Sequence, residues 1–426
     1  MASTDPSSAP HRFDASELAE SAAALPPEEC PLELEPPASL PAGQLDRWML
    51  DPRITYLNHG SFGARLRTVN EAQAAHRREL EARPVAYLDR ERDERSLDRR
   101  ERVGRFLGMD PSCFGFVVNA SDGINAVLRS LAWRSGDEIL TTSHVYNAVR
   151  QTLGWLAATQ DVVPIEASVE LPVSGPRAIV DAITARLTDR TRMILVDHVT
   201  SESALVQPIE EIVRLARRRG IPVFVDGAHA PGMLDLDVTS VGADYYVGNL
   251  HKWVSAPLGS AFLHVAGATA DGPPPVHPTV ISHFHGEPMA TEFAWQGTRD
   301  VSAYMTVPDA IRAMADVCPD AGWAGVRSHN NQLLAWAEDR LCRRWQVDPV
   351  APAAMRGSMA TIELPARLSK RFDAPSDLKR SVYDEDGIEV PFMEIAGRWY
   401  LRISAQVYNR PDDYERLADA IARRVT

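Results

Sequence analysis

One lysine of this chain occupies a position where an arginine could not do the same chemistry. Lysine occurs only at positions 252, 370 and 379 among the 45 Lys and Arg residues. Lys370 and Lys379 lie in charged stretches, but Lys252 lies between aromatic and apolar neighbours in GNLHKW. A desolvated primary amine can lose its proton and attack a carbonyl carbon, whereas a guanidinium stays charged at any working pH. Lys252 is therefore a candidate for covalent chemistry; the alternative is a lysine that extends its amine to solvent from a partly buried loop.

Two further groups suited to chemistry follow apolar stretches that are predicted to be strands. IPVFVD ends in Asp226, a carboxylate that needs a cation or hydrogen bonds if it is buried. FGFVV leads into NASDG, where Ser121 is predicted to cap a helix; the first N–H groups of that helix and Ser121 Oγ could bind a phosphate, or form an ordinary cap. Ligands of open α/β sheets bind beyond the carboxyl ends of the strands, so we expect Ser121, Asp226 and Lys252 to lie together.

These groups match what pyridoxal phosphate requires of a protein. The cofactor needs a lysine for a Schiff base, an acid beside its pyridine nitrogen and a helix N-terminus for its phosphate. No GxGxxG or GxxxxGK[ST] motif supports a dinucleotide or P-loop site. The two histidines of HFHGE, residues 283–287, are a weak signal for a metal, and we predict no metal site.

The elements that must position these groups follow an α/β pattern. From residue 114 onward short apolar strands alternate with helices, as in a sheet covered by helices on both faces. We predict a large mixed-sheet α/β domain at 45–315 and a smaller C-terminal α+β domain at 316–426. The first 44 residues hold eight of the 31 prolines, which predicts a flexible arm at 1–44.

The composition of the chain limits the classes of binding partner and the cellular compartments that we expect for it. The net charge of −13 argues against nucleic acid and anionic membranes, which would repel the protein. The four cysteines form no CxxC pair, which fits reduced thiols in a cytoplasm. Neither a signal peptide nor a run of 18 apolar residues is visible. We expect a cytoplasmic protein that acts on a small molecule.

Seven separated motifs of the chain resemble those of the class V aminotransferase family, which are fold-type I pyridoxal phosphate enzymes. In chain order they are NASDG, SHVYNA, DHVTS, VDGAHAPG, GNLHKW, WQGTRD and LRISAQVYN. The opening NHGSFG is similar to the isopenicillin N epimerase-like branch, and the resemblance extends over residues 45–425. It implies a homodimer whose active sites lie at the subunit interface.

The resemblance also implies roles for the residues that contact the cofactor. Lys252 would form the covalent link, Asp226 would contact the pyridine nitrogen, and His229 would lie on the side of the phenolic oxygen. Ser201 stands where related desulfurases have an asparagine near that oxygen. The phosphate positions are matched by Ala120, Ser121, Asp122, His251 and, from the second subunit, Thr298.

Four residues match positions nearer the substrate. Tyr146 would stack over the cofactor ring and could move a proton, although plain packing is the alternative. Arg402 matches an arginine that binds the substrate carboxylate, and its alternative is a surface ion pair. Asn58 and His59 in the opening loop are expected to contact the substrate.

The reaction is less determined than the cofactor. Desulfuration needs a nucleophilic cysteine shortly before the carboxylate-binding arginine, and YDEDGIEVPFMEIAGRWYLR contains none; the nearest upstream cysteine is Cys342. We therefore favour β-elimination from an S-substituted cysteine, by a C–S lyase of secondary metabolism such as antibiotic biosynthesis. Epimerisation, with Lys252 and Tyr146 on opposite faces, and transamination or oxidative deamination are the alternatives. A protein that only binds would be expected to lack Lys252 or Asp226.

Overall fold

The computed structural model describes residues 34–38, 40, 45–268 and 275–425. The chain from Pro36 onward forms one compact unit. Most of the predicted arm at 1–44 lies outside the described residues, and the predicted domain limits at 45–315 and 316–426 stay predictions. None of the described helices is long and apolar enough to cross a bilayer. Cys113, Cys318 and Cys342 are free thiols, while Cys30 lies outside the described part of the chain.

The strands and helices follow the predicted order. The strands are β1 Thr55–Tyr56, β2 Phe114–Val117, β3 Glu138–Thr142, β4 Val163–Ala167, β5 Thr191–Asp197, β6 Val223–Asp226, β7 Tyr245–Asn249, β8 Ala261–Val265, β9 Met359–Glu363, β10 Ile388–Glu389, β11 Phe392–Ile395 and β12 Arg398–Ser404. The helices are α1 His59–Phe62, α2 Arg67–Ala82, α3 Arg92–Leu107, α4 Ala120–Ser130, α5 Asn147–Gln160, α6 Pro176–Arg186, α7 Ile209–Arg217, α8 Val238–Val241, α9 Met289–Glu292, α10 Ser302–Met305, α11 Val307–Ala315, α12 Gly322–Trp345, α13 Leu368–Arg371, α14 Pro375–Asp386 and α15 Pro411–Val425.

The large sheet has seven strands in the order β2-β8-β7-β6-β5-β3-β4. All of its neighbouring pairs are parallel except those of β8, which runs antiparallel to both β2 and β7. The inner strands β6, β7 and β8 are buried along their whole length, which explains their nearly continuous apolar sequences. The predicted mixed α/β sheet is confirmed.

The strand directions place the functional groups at one edge of this sheet. Because β2, β5, β6 and β7 all run the same way, their carboxyl ends lie side by side. Asp197 and Asp226, the last residues of β5 and β6, are direct partners in the register. Asn249 ends β7, and Lys252 follows it in the next turn. The chemistry predicted at the strand ends therefore has a common location.

Helix α4 begins earlier than its sequence suggested. Its cap is Asn119, whose extended backbone lets the side chain accept a hydrogen bond from the Asp122 N–H at 2.9 Å. The prediction of Ser121 as the cap is wrong, because asparagine caps as well as serine and follows the strand more closely. Ser121 lies instead in the first turn of the helix.

The C-terminal region forms a separate antiparallel sheet, in the order β11-β12-β9. Its core packs the strand residues Leu401 and Ile403 with Leu341 of α12 and Leu417 of α15. The opening strand β1 pairs in parallel with β10, Thr55 opposite Ile388. The N-terminal segment that the sequence groups with the large domain is thus hydrogen-bonded to the C-terminal region.

Candidate active site

A cavity of about 340 Å³ opens at the edge where the strand ends meet. Its volume is in the usual range for small-molecule sites. Eight of the residues predicted from the sequence line it: Ala120, Ser121, Tyr146, Ser201, Asp226, His229, His251 and Lys252. Another groove, of about 390 Å³, is lined by the acidic residues Glu210, Glu211, Asp235 and Asp237, which would repel a phosphate.

Lys252 extends into the first cavity as a weakly basic amine. Its Nζ lies 3.1 Å from His229 Nε2. The pKa of Lys252 is lowered to about 8, chiefly by burial and also by the charge of Arg402, while Asp226 and Asp197 act in the opposite direction. A sizeable fraction of the amine is therefore neutral near physiological pH, as a nucleophile or a base requires.

His59 holds the backbone of the lysine turn and does not line the cavity. Its Nε2–H donates to the Lys252 carbonyl oxygen at 3.1 Å, and its Nδ1 accepts from the Tyr408 hydroxyl at 2.9 Å. The ring is fully buried against Trp253, and burial lowers its pKa to about 3, so it stays neutral. Helix α1 turns this side chain inward, beneath Lys252, and the expected substrate contact of His59 stays a prediction.

Two carboxylates, not one, lie at the back of the cavity. Asp226 is 2% exposed, and its Oδ1 accepts from the Ala228 N–H at 2.9 Å. Asp197 beside it also lines the cavity, and its Oδ2 has no hydrogen-bond partner among the described residues. Burial raises the pKa of both groups, and the charge of Asp226 raises the pKa of Asp197 further.

Sequence reasoning missed Asp197, although a signal was present. RMILVD ends on this residue, just as IPVFVD ends on Asp226. The same rule about strand ends would have identified both. Asn249 was missed in the same way, at the end of the strand that precedes Lys252.

The N-terminus of α4 supplies donors for an anion. Asn119 Oδ1 accepts a hydrogen bond from the Asp122 N–H, and Asn249 Oδ1 accepts one from the Ala120 N–H at 2.8 Å. The N–H and Oγ of Ser121, which lines the cavity, have no hydrogen-bond partner among the described residues. A phosphate suits such a helix terminus.

His251 lines the same cavity as Ser121. Its Nδ1–H donates to the Ser260 carbonyl oxygen at 3.1 Å, which fixes the ring. Its pKa falls to about 4, first through burial and then through the positive charge of Lys252. A negatively charged ligand would act against the effect of the Lys252 charge.

Two of the predicted phosphate positions lie elsewhere in this chain. The carboxylate of Asp122 accepts from Thr279 Oγ1 at 2.6 Å and from the Val118 N–H at 3.4 Å, outside the cavity lining. Its negative charge would also repel a phosphate, and the predicted match of Asp122 to a phosphate position stays a prediction. Thr298 is exposed and does not line the cavity; its role at the site of a second subunit stays a prediction.

Arg402 lies directly behind the cavity, on β12. It is 3% exposed and donates to the Ser201 carbonyl oxygen at 2.6 Å, to Asn58 Oδ1 at 3.1 Å and to Ser61 Oγ at 3.0 Å. Burial lowers the pKa of Arg402 to about 10. A surface ion pair does not describe this residue, because it is buried and forms no ion pair with a described carboxylate.

Asn58 accepts a hydrogen bond from Arg402 and does not line the cavity. Its Oδ1 accepts from both Arg402 and Ser61, and its Nδ2 donates to Glu389 Oε1 at 3.4 Å. Asn58 therefore positions Arg402 in this structure, and its expected substrate contact stays a prediction. Ser61, which sequence reasoning missed, lies between Arg402 and the cavity.

The mouth of the cavity carries exposed apolar side chains. Tyr146, the residue before α5, is 44% exposed there. Phe62, Val118 and Leu258 share the rim and are exposed as well. The alternative of Tyr146 as a plain packing residue does not fit this exposure.

The residues present fit pyridoxal phosphate. Lys252 offers the amine, Asp226 a buried carboxylate and the α4 terminus an anion site. Three buried polar atoms around them lack hydrogen-bond partners among the described residues: Asp197 Oδ2, His229 Nδ1 and Arg402 Nε. Buried polar atoms are normally satisfied, so such a cluster indicates a polar ligand.

Comparison with known proteins agrees with this geometry. The family model "Aminotransferase class-V" matches residues 80–416. The chain is 32% identical over 396 residues to isopenicillin N epimerase of Amycolatopsis lactamdurans, covering 87% of this chain and 95% of that protein. It is 30% identical over 399 residues to a probable chloroplastic L-cysteine desulfhydrase of Arabidopsis thaliana, covering 87% and 83%.

Two solved structures share the fold. The cystine C-S lyase C-DES, in complex with its reaction product cysteine persulfide, is 20% identical with a TM-score of 0.72, over 87% of this chain and 98% of that one. The cysteine desulfurase of Thermococcus onnurineus NA1 is 18% identical with a TM-score of 0.73, over 91% and 99%.

Proposed function

This chain belongs to the class-V aminotransferase family and is therefore a pyridoxal phosphate enzyme, and we propose that it cleaves the Cβ–S bond of an S-substituted cysteine by β-elimination. The observation that carries the proposal is the number of bases in the cavity. Lys252 has a pKa of about 8, whereas burial lowers the pKa of His229 and His251 and makes both weaker bases than a free imidazole. Elimination needs one such base to remove the Cα proton.

The names of similar proteins also support this proposal. The relatives with curated names include L-cysteine desulfhydrases, and the solved neighbours include a cystine C-S lyase. No cysteine is among the residues that line the cavity, which disfavours desulfuration through a cysteine nucleophile. An S-substituted cysteine would need only a base and a route by which the leaving sulfur departs, and the open mouth offers that route.

In this mechanism Arg402, together with Ser61 and Ser201, binds the substrate carboxylate and fixes the rotation about the Cα bonds. Lys252 then takes the Cα proton, and the Cβ–S bond breaks with its electron pair going to sulfur. The enamine that remains hydrolyses to pyruvate and ammonia. When bound, the cofactor supplies the electron sink for the bond broken at Cα. Asp226 would hold its ring nitrogen, and Ser121 with the N-terminus of α4 its phosphate.

Epimerisation is the second candidate function. It is favoured by the similarity to isopenicillin N epimerases and by Tyr146, whose hydroxyl at the rim could serve the face opposite Lys252. Epimerisation requires that a proton be returned to Cα from that face. A rim residue that is 44% exposed shares its protons with solvent, which makes it a less controlled donor than an enclosed group.

A homodimer and a cytoplasmic location are also proposed. The dimer is supported by the exposed Thr298, which lies outside the cavity of its own chain, and by the apolar rim at Phe62 and Leu258. The location is supported by the three free thiols among the described residues.

The experiment supplies the purified enzyme with a panel of S-substituted cysteines in deuterated water. We expect pyruvate and ammonia in equal amounts at a steady rate, with unreacted substrate that keeps its configuration. Deuterium exchange and racemisation at Cα without pyruvate would favour the epimerase instead. A Lys252→Ala variant serves as the control for background breakdown of the substrates.

A further inference from the structure

Two histidines and a glutamate meet outside the cavity of the cofactor. Both Glu292 oxygens lie 3.0 Å from His277 Nδ1, and Oε1 lies 3.1 Å from His285 Nδ1. The two imidazole rings are 4.5 Å apart and tilted by 56°. None of the three residues lines the cofactor cavity. This cluster is therefore independent of the reaction proposed above.

The burial of the glutamate requires a positive partner. Glu292 is only 4% exposed, and among the described residues its ion-pair partners are these two imidazoles, with no lysine or arginine. A buried carboxylate is costly unless it is paired or coordinates a metal. A bound cation at this cluster would pair with the buried carboxylate.

The spacing of the three groups suits a small cation. One ligand atom from each residue lies within 4.8 Å of the other two. Four-coordinate zinc, with metal–ligand distances of about 2.0–2.2 Å, places neighbouring ligand atoms roughly 3.3–3.5 Å apart. The observed contacts of 3.0 and 3.1 Å need to lengthen by only a few tenths of an ångström.

We propose that His277, His285 and Glu292 form a three-ligand site for a divalent transition metal, with zinc as the expected ion. Two imidazoles and a carboxylate are ligands that favour zinc over magnesium or calcium. His285 is half-exposed, which gives an entry path and leaves a fourth position for water. The acidic net charge of −13 also favours the approach of a cation.

Surrounding contacts hold the ligands in place. The backbone N–H of His277 donates to Ser130 Oγ at 2.9 Å, at the end of α4. Glu292 ends α9, next to Phe293, which packs in the core. Two of the three ligands are therefore held before any metal binds, and only His285 lies on an exposed turn.

The metal would fix the segment from His277 to Glu292 against helix α4. Thr279 on the same segment already donates to Asp122 in the first turn of that helix. The segment continues into Gly297 and Thr298. A cation bound there would stabilise the backbone that leads to Thr298, the residue proposed to contact the cofactor of a second subunit. The effect is structural, because none of the three ligands lines the cofactor cavity.

The motif noticed in the sequence contributes only one of its two histidines. His283 of HFHGE does not join the cluster, and its ring stacks on Trp295 with centroids 6.4 Å apart. His277 and Glu292 were not associated with it, because only folding brings 277, 285 and 292 together. His283 is consequently a matched control, since it lies two residues from His285.

The test measures metal binding directly. Holoenzyme is treated with a chelator, passed through a desalting column and titrated with zinc chloride, with bound metal counted by elemental mass spectrometry. Cobalt chloride is used in parallel, because four-coordinate cobalt gives intense visible bands that six-coordinate cobalt lacks. Glu292→Gln, His285→Ala and the control His283→Ala are treated identically, and circular dichroism with cofactor absorbance verifies their folding.

We expect one zinc per chain in the wild type and in His283→Ala. Loss of a direct ligand should weaken binding by more than the roughly 10–100-fold that outer-shell changes cost. Zinc should also raise the Tm of the wild type, but not that of Glu292→Gln, by at least about 2 °C. Wild-type enzyme that retains no stoichiometric zinc and gives only six-coordinate cobalt would overturn the proposal, and so would Glu292→Gln binding as tightly as wild type. The cluster would then be a hydrogen-bonded His–Glu–His triad.

Discussion

Lys252 lies among charges that act on its pKa in opposite directions. Burial and Arg402 favour the neutral amine, whereas Asp226 and Asp197 favour the ammonium. The balance gives a pKa of about 8 against a usual value of 10.5. The protein therefore loses stability in order to keep this amine reactive, and the cost depends on pH.

This loss of stability predicts how the free energy of unfolding of the cofactor-free protein changes with pH. Between pH 8 and 10.5 the folded chain has released the Lys252 proton while the unfolded chain still binds it, so this residue makes the free energy of unfolding rise with pH. Lys252→Met should be more stable than wild type at pH 7, by an amount on the order of 3 kcal/mol, and the difference should vanish above pH 10.5. Denaturant titrations of both proteins across this range measure it. A difference independent of pH would show that packing, not charge, separates the two proteins.

The two neighbouring carboxylates should differ in their importance for catalysis. Burial raises the pKa of both carboxyl groups, and the charge of Asp226 raises that of Asp197 further, so an amide should replace Asp197 at the smaller loss. Asp197→Asn should keep turnover within about tenfold, whereas Asp226→Asn should reduce it on the order of a hundredfold or more by removing the charge beside the ring nitrogen. Steady-state kinetics and the cofactor content of both variants are the measurements. Equal losses would mean that the two carboxylates act as one unit.

At the scale of elements, helix α1 presses against the turn that carries Lys252. Gly63, which ends α1, has a φ of 74°, a conformation that side chains rarely adopt. A Cβ there would lie 2.8 Å from the Lys252 carbonyl oxygen and still closer to that of His251. This close approach is what allows His59 to reach the backbone of the lysine turn.

Gly63→Ala should therefore damage the site as well as the fold. The positive φ alone costs on the order of 1 kcal/mol, and displacement of the lysine turn adds to it. Gly136→Ala is the matched control, because its φ is 80° but a Cβ there would meet nothing within 4 Å. We expect Gly63→Ala to lose cofactor affinity as well as stability, and Gly136→Ala to lose only stability. Equal cofactor affinity in the two variants would contradict the role given to α1.

The sequence predicted the groups at strand ends better than the groups brought in by helices. Lys252 and Asp226 follow apolar strands, and the parallel arrangement alone places them together. Asn58 and His59 could not be assigned in this way, because their orientation depends on the pairing of β1 with β10, more than three hundred residues later. Asp122 was matched to a phosphate position by the family resemblance, which does not fix the direction of its side chain. The earlier cap at Asn119 changes which groups of the first turn reach the cavity.

At the scale of the whole molecule, each chain leaves the mouth of its cavity open. Phe62 is 68% and Leu258 58% exposed at that rim, which is unusual for large apolar side chains beside a reactive centre. The proposed homodimer would cover them and bring Thr298 to the neighbouring site. Sedimentation should therefore give about twice the chain mass of 47.0 kDa. An active monomer would show that each chain completes its own site.

The hydrogen bond between Asn58 and Arg402 joins residues 344 positions apart. A ribosome adding about 5–20 residues per second would release Asn58 roughly 17–70 s before Arg402. Lys252 and Asp226 would emerge in between, so the cofactor end of the site can assemble while the carboxylate end still lacks its arginine. During that interval the opening segment has no β10 to pair with. A nascent chain could thus hold its cofactor before it is able to select an amino acid, and translation of the last strands would complete the enzyme.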